Sequence, residues 1–308
     1  MQSAFSLAGR VGLVTGGARG IGRAVAEALS AAGAQCVIAD AGVDISGANP
    51  DVSLAAAAAD AIGGVAFTED ISAPGAAQRA VDLAVERFGA IDIVVNGAAI
   101  LRDAFIFKSR REDWDRVLQT NLTGAYATLA AATPLMREAA KQGRAPGRIV
   151  NLVSTAGLYG NFGQAAYAST KGGLVALTRV VAMDLARSGI HCNAVAPFAA
   201  TRVTDAIRPA NDAQAVYKAR AMTIPAGYVA RLVAWLAASA CAVTGQLFGI
   251  RGREVFLFSQ PRPIARVVTP ALAELTPESL DSLITMEFTE HFTDLATDLE
   301  AFNTEPLL

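Results

Sequence analysis

In the stretch AAYASTKGGL, residues 165–174, Tyr167 and Lys171 stand four positions apart among small and apolar residues. On a helix these two positions share a face. An ammonium beside a phenol stabilises the phenolate and draws a pKa of about 10 toward the range in which tyrosine exchanges a proton with an alcohol. The neighbours Ala165, Ala166, Ala168, Ser169, Gly172 and Gly173 leave room for a cofactor and a substrate. Ser154, at the end of the preceding apolar run, is placed to hydrogen-bond an alcohol or carbonyl oxygen.

A second constellation lies near the start. In VTGGARGIG, Gly16, Gly20 and Gly22 permit a tight turn and close approach of the backbone to a pyrophosphate seated on a helix N-terminus. Glycines alone also serve ordinary turns; their place between an apolar run and a helical one carries the reading. Asp40 closes the next apolar run, where a carboxylate accepts ribose hydroxyls and repels a 2′-phosphate. Arg19 pulls the other way, because a cation beside the ribose welcomes NADP. Weighing a carboxylate aimed at the ribose against a flexible arginine, the expected cofactor is NAD.

These residues need a frame that brings them together. VGLVT (11–15), QCVIAD (35–40), GVAF (64–67), IDIVVN (91–96), RIVNLVS (148–154) and IHCNAVAP (190–197) are short and rich in Val and Ile, as buried parallel strands are. Between them run helical segments, IGRAVAEALSAAG, SLAAAAADAIG, AAQRAVDLAVERFG, the stretch from Trp114 to Ala140, and YASTKGGLVALTRVVAMDLARSG. The alternation predicts an α/β fold, a Rossmann-type doubly wound parallel sheet with helices on both faces. Its ligands bind at the carboxyl ends of the strands. Two regions break the rhythm, the loop from about Phe198 to Ala226 and everything after Gly252. The predicted organisation is one domain over 1–252 and a partly helical C-terminal extension over 253–308.

At 308 residues with 53% hydrophobic and 18% charged, the chain can bury one large core. A net charge of −2 gives no general attraction to nucleic acid or anionic membrane. Cys36, Cys192 and Cys241 are far apart and without metal-ligand spacing, and read as buried thiols in a reducing compartment. No signal peptide or membrane span is indicated, so the expected location is the cytoplasm, with no metal, membrane or nucleic-acid partner.

Taken together, TGGARGIG, Asp40, Asn121 in TNLTG, and Ser154 with Tyr167 and Lys171 resemble the short-chain dehydrogenase/reductase superfamily, from about Arg10 to Gly252. The resemblance implies Tyr167 as general acid/base, Lys171 lowering its pKa and holding the nicotinamide ribose, Ser154 orienting the substrate oxygen, and Asn121 keeping a relay water near Lys171. It places Asp70 on the adenine and adds Ile21, Ile71, Asn96, Gly97 and Pro197 to the cofactor-binding set. Two departures stand out: the usual Asn-Asn-Ala-Gly reads NGAA at Asn96–Ala99, and Phe198 follows Pro197 in place of glycine.

Three further stretches, ILRDAFIFKSRREDWD (100–115), GLYGNFGQAAYAS (157–169) and IHCNAVAPFAATRVT (190–204), with YVARLVAWL and GQLF, resemble the (3R)-hydroxyacyl-CoA dehydrogenase unit of peroxisomal multifunctional enzymes type 2 and their bacterial stand-alone relatives. This implies NAD-dependent oxidation of a (3R)-hydroxyacyl-CoA, with a steroid side-chain thioester within range, by a homodimer or homotetramer. Arg102, Lys108, Arg110, Arg111 and Arg202 are candidate cations for CoA phosphates, though a solvated charged face explains Lys108, Arg110 and Arg111 equally well. Leu158, Tyr159, Phe162 and Phe198 are candidate walls of an acyl or sterol pocket, or core. A free hydroxysteroid or other secondary alcohol dehydrogenase and a non-catalytic NAD-binding regulator are the alternatives.

Overall fold

The computed structural model describes residues 5–209, 211–269, 271 and 275–308. Eight strands form one sheet: β1 (Val11–Thr15), β2 (Gln35–Ala39), β3 (Val65–Phe67), β4 (Ile93–Asn96), β5 (Arg148–Leu152), β6 (His191–Phe198), β7 (Leu247–Arg251) and β8 (Glu254–Phe258). Their order is β3-β2-β1-β4-β5-β6-β7-β8. Every neighbouring pair is parallel except β7 and β8. All of β1 and β5 is buried, because a parallel sheet covered on both faces leaves no side for water.

The helices are α1 (Gly20–Ala31), α2 (Ser53–Asp60), α3 (Ala76–Phe88), α4 (Arg111–Leu118), α5 (Gly124–Lys141), α6 (Ala156–Tyr159), α7 (Ala165–Leu185), α8 (Arg202–Asp205), α9 (Asp212–Ala221), α10 (Gly227–Ala237), α11 (Pro277–Phe288) and α12 (Asp298–Ala301). On one face of the sheet Val25, Leu29, Val229 and Leu236 of α1 and α10 pack with Val14, Ile38 and Val95. On the other, Val81, Leu129, Met136 and Leu185 of α3, α5 and α7 pack with Leu13, Val37 and Val94. Each such side chain contributes about 1.5–3 kcal/mol relative to exposure, which is why the apolar periodicity locates the layers.

The structure departs from the expected pattern in three places. The run from Trp114 is not one helix: α4 and α5 are joined by a π-helical turn, Gln119–Thr123, at the point where Asn121 reaches across to the main chain of Ile100. The irregular loop from Phe198 holds α8 and α9, each opened by a side-chain cap, Thr201 accepting from the Thr204 N–H and Asn211 from the Gln214 N–H. The boundary expected after Gly252 falls inside the β7–β8 hairpin, with Gly252 in its turn at φ +57°.

Residues up to Phe258 together with Thr297–Leu308 form one compact unit, and Ser259–Ala296 a second. The second contains α11, opened by a capping box between Thr276 and Ser279 and followed by a 3₁₀ turn, Thr289–His291. Residues 272–274 of the predicted helical stretch lie outside the described residues.

Candidate active site

The sheet order reverses beside β1, which has β2 on one side and β4 on the other, so a crevice opens at the carboxyl ends of β1 and β4. The glycine turn occupies it. Gly16 and Gly20 take φ values of +68° and +53°, the left-handed region that side chains disfavour. A Cβ at Gly16 would stand 2.8 Å from the Ala98 nitrogen, and one at Gly22 would overlap the Gly16 carbonyl oxygen, so the turn is pressed onto both the β4 loop and α1. A Cβ at Gly97 would lie 2.9 Å from the Thr15 oxygen; glycine in NGAA is required by packing here.

Asp40, just past β2, accepts the Ala18 N–H at 3.0 Å and the Gly42 N–H at 2.8 Å, which fixes its carboxylate beside the glycine turn. Arg19 and Arg202 both donate to the Val43 carbonyl. Asp70 accepts from the Ser72 main chain and hydroxyl and from Arg116 at 2.8 Å. Partial burial raises its pKa, but these hydrogen bonds outweigh it and hold the carboxyl below its usual range.

At the other end, α7 presents Tyr167 and Lys171, 8% and 3% exposed. The close fit of α6 against α7 explains the small residues: a Cβ at Gly157 would stand 2.6 Å from the Gly172 nitrogen. The Lys171 Nζ donates to the Leu152 carbonyl at 2.8 Å and lies 5.6 Å from the Tyr167 ring centroid. Burial pushes Lys171 down to about 8. Burial also pushes Tyr167 up to about 12; a hydrogen bond from Ser154 opposes this, and the charges of Asp298 and Asp103 add to it. Lost hydration of the phenolate outweighs the Ser154 hydrogen bond.

One cleft of about 910 Å³ joins the two ends. Gly16, Arg19, Gly20, Ile21, Gly22, Asp40, Asp70, Ile71, Gly97, Ser154, Tyr167, Lys171 and Pro197 all line it. Asn96 and Asn121 do not. Asn96 donates to the Asn151 carboxamide within the sheet, and Asn121 accepts from the Ile100 N–H and donates to its carbonyl, bracing the β4 loop. Among the candidate cations only Arg202 lines the cleft; Arg102 and Arg110 pair with Asp113, Arg111 with Asp115, and Lys108 lies over the Phe107 ring. Phe162 and Phe198 line it, whereas Leu158 and Tyr159 do not.

Several residues that line the cleft or hold its wall had no local signal. Thr15 holds the N–H groups of Gly97 and Ala98 through its hydroxyl. Gln214 and Tyr217 arrive on α9, and Thr297, Asp298 and Leu299 on the C-terminal segment. The TDLE pattern of Thr297–Glu300 is a capping box and marks a helix start, yet nothing in it points to the cleft. The side-chain-free glycine cradle, the helix N-terminus above it and the fixed Asp40 fit a nicotinamide dinucleotide, with the Tyr167 end left for the nicotinamide and a substrate.

Residues 10–214 match the short chain dehydrogenase family. The chain belongs to that family. As a short chain dehydrogenase it is an oxidoreductase acting on a CH–OH group. It is 35% identical over 91% of its length to peroxisomal multifunctional enzyme type 2 of Mus musculus, of which it spans only 37%. It is 39% identical to hydroxyacyl-CoA dehydrogenase ChsB1 of Mycobacterium tuberculosis, covering 83% of this chain and 81% of that protein. A crystal structure of a short chain dehydrogenase from Mycobacterium avium superposes with a TM-score of 0.76 at 33% identity, covering 91% of this chain and 96% of that one. Among the described residues no helix of this short chain dehydrogenase is long and apolar enough to cross a membrane.

Proposed function

We propose that this short chain dehydrogenase oxidises a (3R)-hydroxyacyl-CoA to the 3-ketoacyl-CoA with NAD, as a homodimer or homotetramer. The observation that carries the reading is that the Ser154–Tyr167–Lys171 group and the glycine cradle open into one cleft. The thioester is supported by the relatives named for hydroxyacyl-CoA and multifunctional peroxisomal chemistry.

When bound, NAD supplies the hydride acceptor. Tyr167 exchanges the proton of the substrate oxygen, and Ser154, hydrogen-bonded to the phenol, orients that oxygen. Lys171, protonated at neutral pH, sets a positive charge beneath the phenol and favours its ionised form once the substrate excludes water. Asn121 acts indirectly, bracing Ile100, which lines the cleft. Asp40, fixed beside the glycine turn, would accept the adenosine ribose hydroxyls and disfavour a 2′-phosphate, which supports NAD over NADP.

The test is NADH formation from NAD and a racemic 3-hydroxyacyl-CoA, beside NADP and beside a free hydroxysteroid. Consumption of one enantiomer with NAD preferred is the expected result, and Tyr167→Phe lowers kcat about 10²–10⁴-fold while NAD still binds. Oxidation of the steroid without the thioester transfers the assignment to a secondary alcohol dehydrogenase. NAD binding with no turnover of any alcohol transfers it to a non-catalytic regulator.

A further inference from the structure

The C-terminal segment delivers a carboxyl group to the reacting end of the cleft that the chemistry above does not use. Asp298, the first residue of α12, is 5% exposed and shares the cleft lining with Ser154, Tyr167, Gln214 and Tyr217. Its Oδ2 accepts the hydroxyl of Thr155, the residue after Ser154. Its Oδ1 is buried and makes no close, well-aligned hydrogen bond. The Thr155 and Asn161 side chains and the Asp298 and Leu299 N–H groups act on this carboxyl as hydrogen-bonding neighbours, and among the described residues it forms no ion pair.

The placement is held firmly. The Phe302 ring sits among those of Phe198 at 4.8 Å, Phe256 at 5.6 Å and Tyr159 at 5.8 Å. Arg251 donates to Thr304, Arg220 to Asn303 and Glu305, and the Arg253 N–H to the Leu307 carbonyl at 2.8 Å. Burial raises the Asp298 pKa and the hydrogen bonds to it oppose that rise; in its ionised form, with no cation paired to it, the carboxylate repels a second negative group brought beside it. Lys171 donates to the Leu152 carbonyl and forms no ion pair with Asp298.

We propose that Asp298 is a specificity residue: it excludes substrates carrying a negative charge next to the reacting carbinol, so that a neutral 3-hydroxy thioester or ester is accepted and the free 3-hydroxy carboxylate is rejected. The inference rests on the proposed function only for the position of the reacting oxygen, between Ser154 and Tyr167. It accounts for a discrimination that an apolar wall cannot make, because thioester and free acid share the same carbon chain.

The test compares kcat/KM for the methyl ester of a 3-hydroxy acid and for the free acid of the same chain length, in the wild-type protein, Asp298→Asn and Asp298→Glu. The Asn variant keeps the shape and removes the charge; the neutral-to-anionic ratio is expected to fall at least about tenfold. The Glu variant is expected to retain the wild-type preference. An unchanged ratio in the Asn variant, or an equal fall in both, overturns the proposal. Should the Asn variant not fold, inhibition of the wild-type protein by a 3-oxo methyl ester and by the matching 3-oxo carboxylate makes the same comparison, and equal inhibition by both overturns it. Oxidation of the methyl ester without any acyl-CoA turnover defeats the thioester assignment and leaves the ratio as the measure of Asp298.

Discussion

At the scale of single residues, burial opposes charge at Tyr167 and Lys171, and the folded protein carries the cost. Lys171 is pushed from an ordinary 10.5 down to about 8, so the folded chain holds this proton less tightly than the unfolded one. The resulting destabilisation is fully present below about pH 8 and fades as pH rises toward the unfolded value. Lys171→Met is therefore expected to be more resistant to denaturant relative to wild type near pH 7 than near about pH 9.5. Midpoints of urea unfolding at the two pH values check this, and a constant difference overturns it. The i, i+4 spacing of the pair was legible in the chain. The direction of the tyrosine shift was not, because it depends on how deeply the fold buries the phenol and on the charges of Asp298 and Asp103, which are distant in the chain.

At the scale of elements, the glycine turn and α1 act as one rigid piece. Gly22 has no room for a methyl group against the Gly16 carbonyl. Gly22→Ala is expected to weaken NAD binding at least about tenfold and to destabilise the protein by about 1–3 kcal/mol, through overpacking against backbone. Gly227→Ala in α10, where an added Cβ meets nothing within 4 Å, is the matched control and gains up to about 1 kcal/mol from helix propensity. Titration with NAD and thermal unfolding of both variants decide between a specific cradle and a general intolerance of alanine. Strands β1 to β6 were readable because buried parallel strands are runs of Val and Ile. The π-helical turn was not, since its cause is the distant main chain of Ile100.

For the molecule as a whole, chain order and spatial order part company at the end. The sheet does not stop at Gly252, because EVFLF adds an antiparallel edge strand, and Thr297–Leu308 belongs to the same unit as the sheet. The clasp around Phe302 holds Thr297, Asp298 and Leu299 in the cleft wall. Phe302→Ala is expected to raise KM for the substrate several-fold and to expose the segment to limited proteolysis, with the Kd for NAD unchanged, since Asp298 is held against Thr155, next to Ser154. Unaltered KM together with unaltered proteolysis would show that the segment holds without its aromatic anchor.

The sequence by itself determined the parallel α/β sheet, the glycine turn, the strand-end Asp40 and the Ser154, Tyr167 and Lys171 group, because each is written in spacings of a few residues that local geometry translates directly. Tertiary structure alone decided that Asn96 and Asn121 turn away from the cleft, that Arg202 is the one candidate cation to reach it among the described residues, and that Asp298 shares the cleft wall with Tyr167. Those outcomes depend on contacts between residues far apart in the chain, where no local periodicity records which side chain meets which.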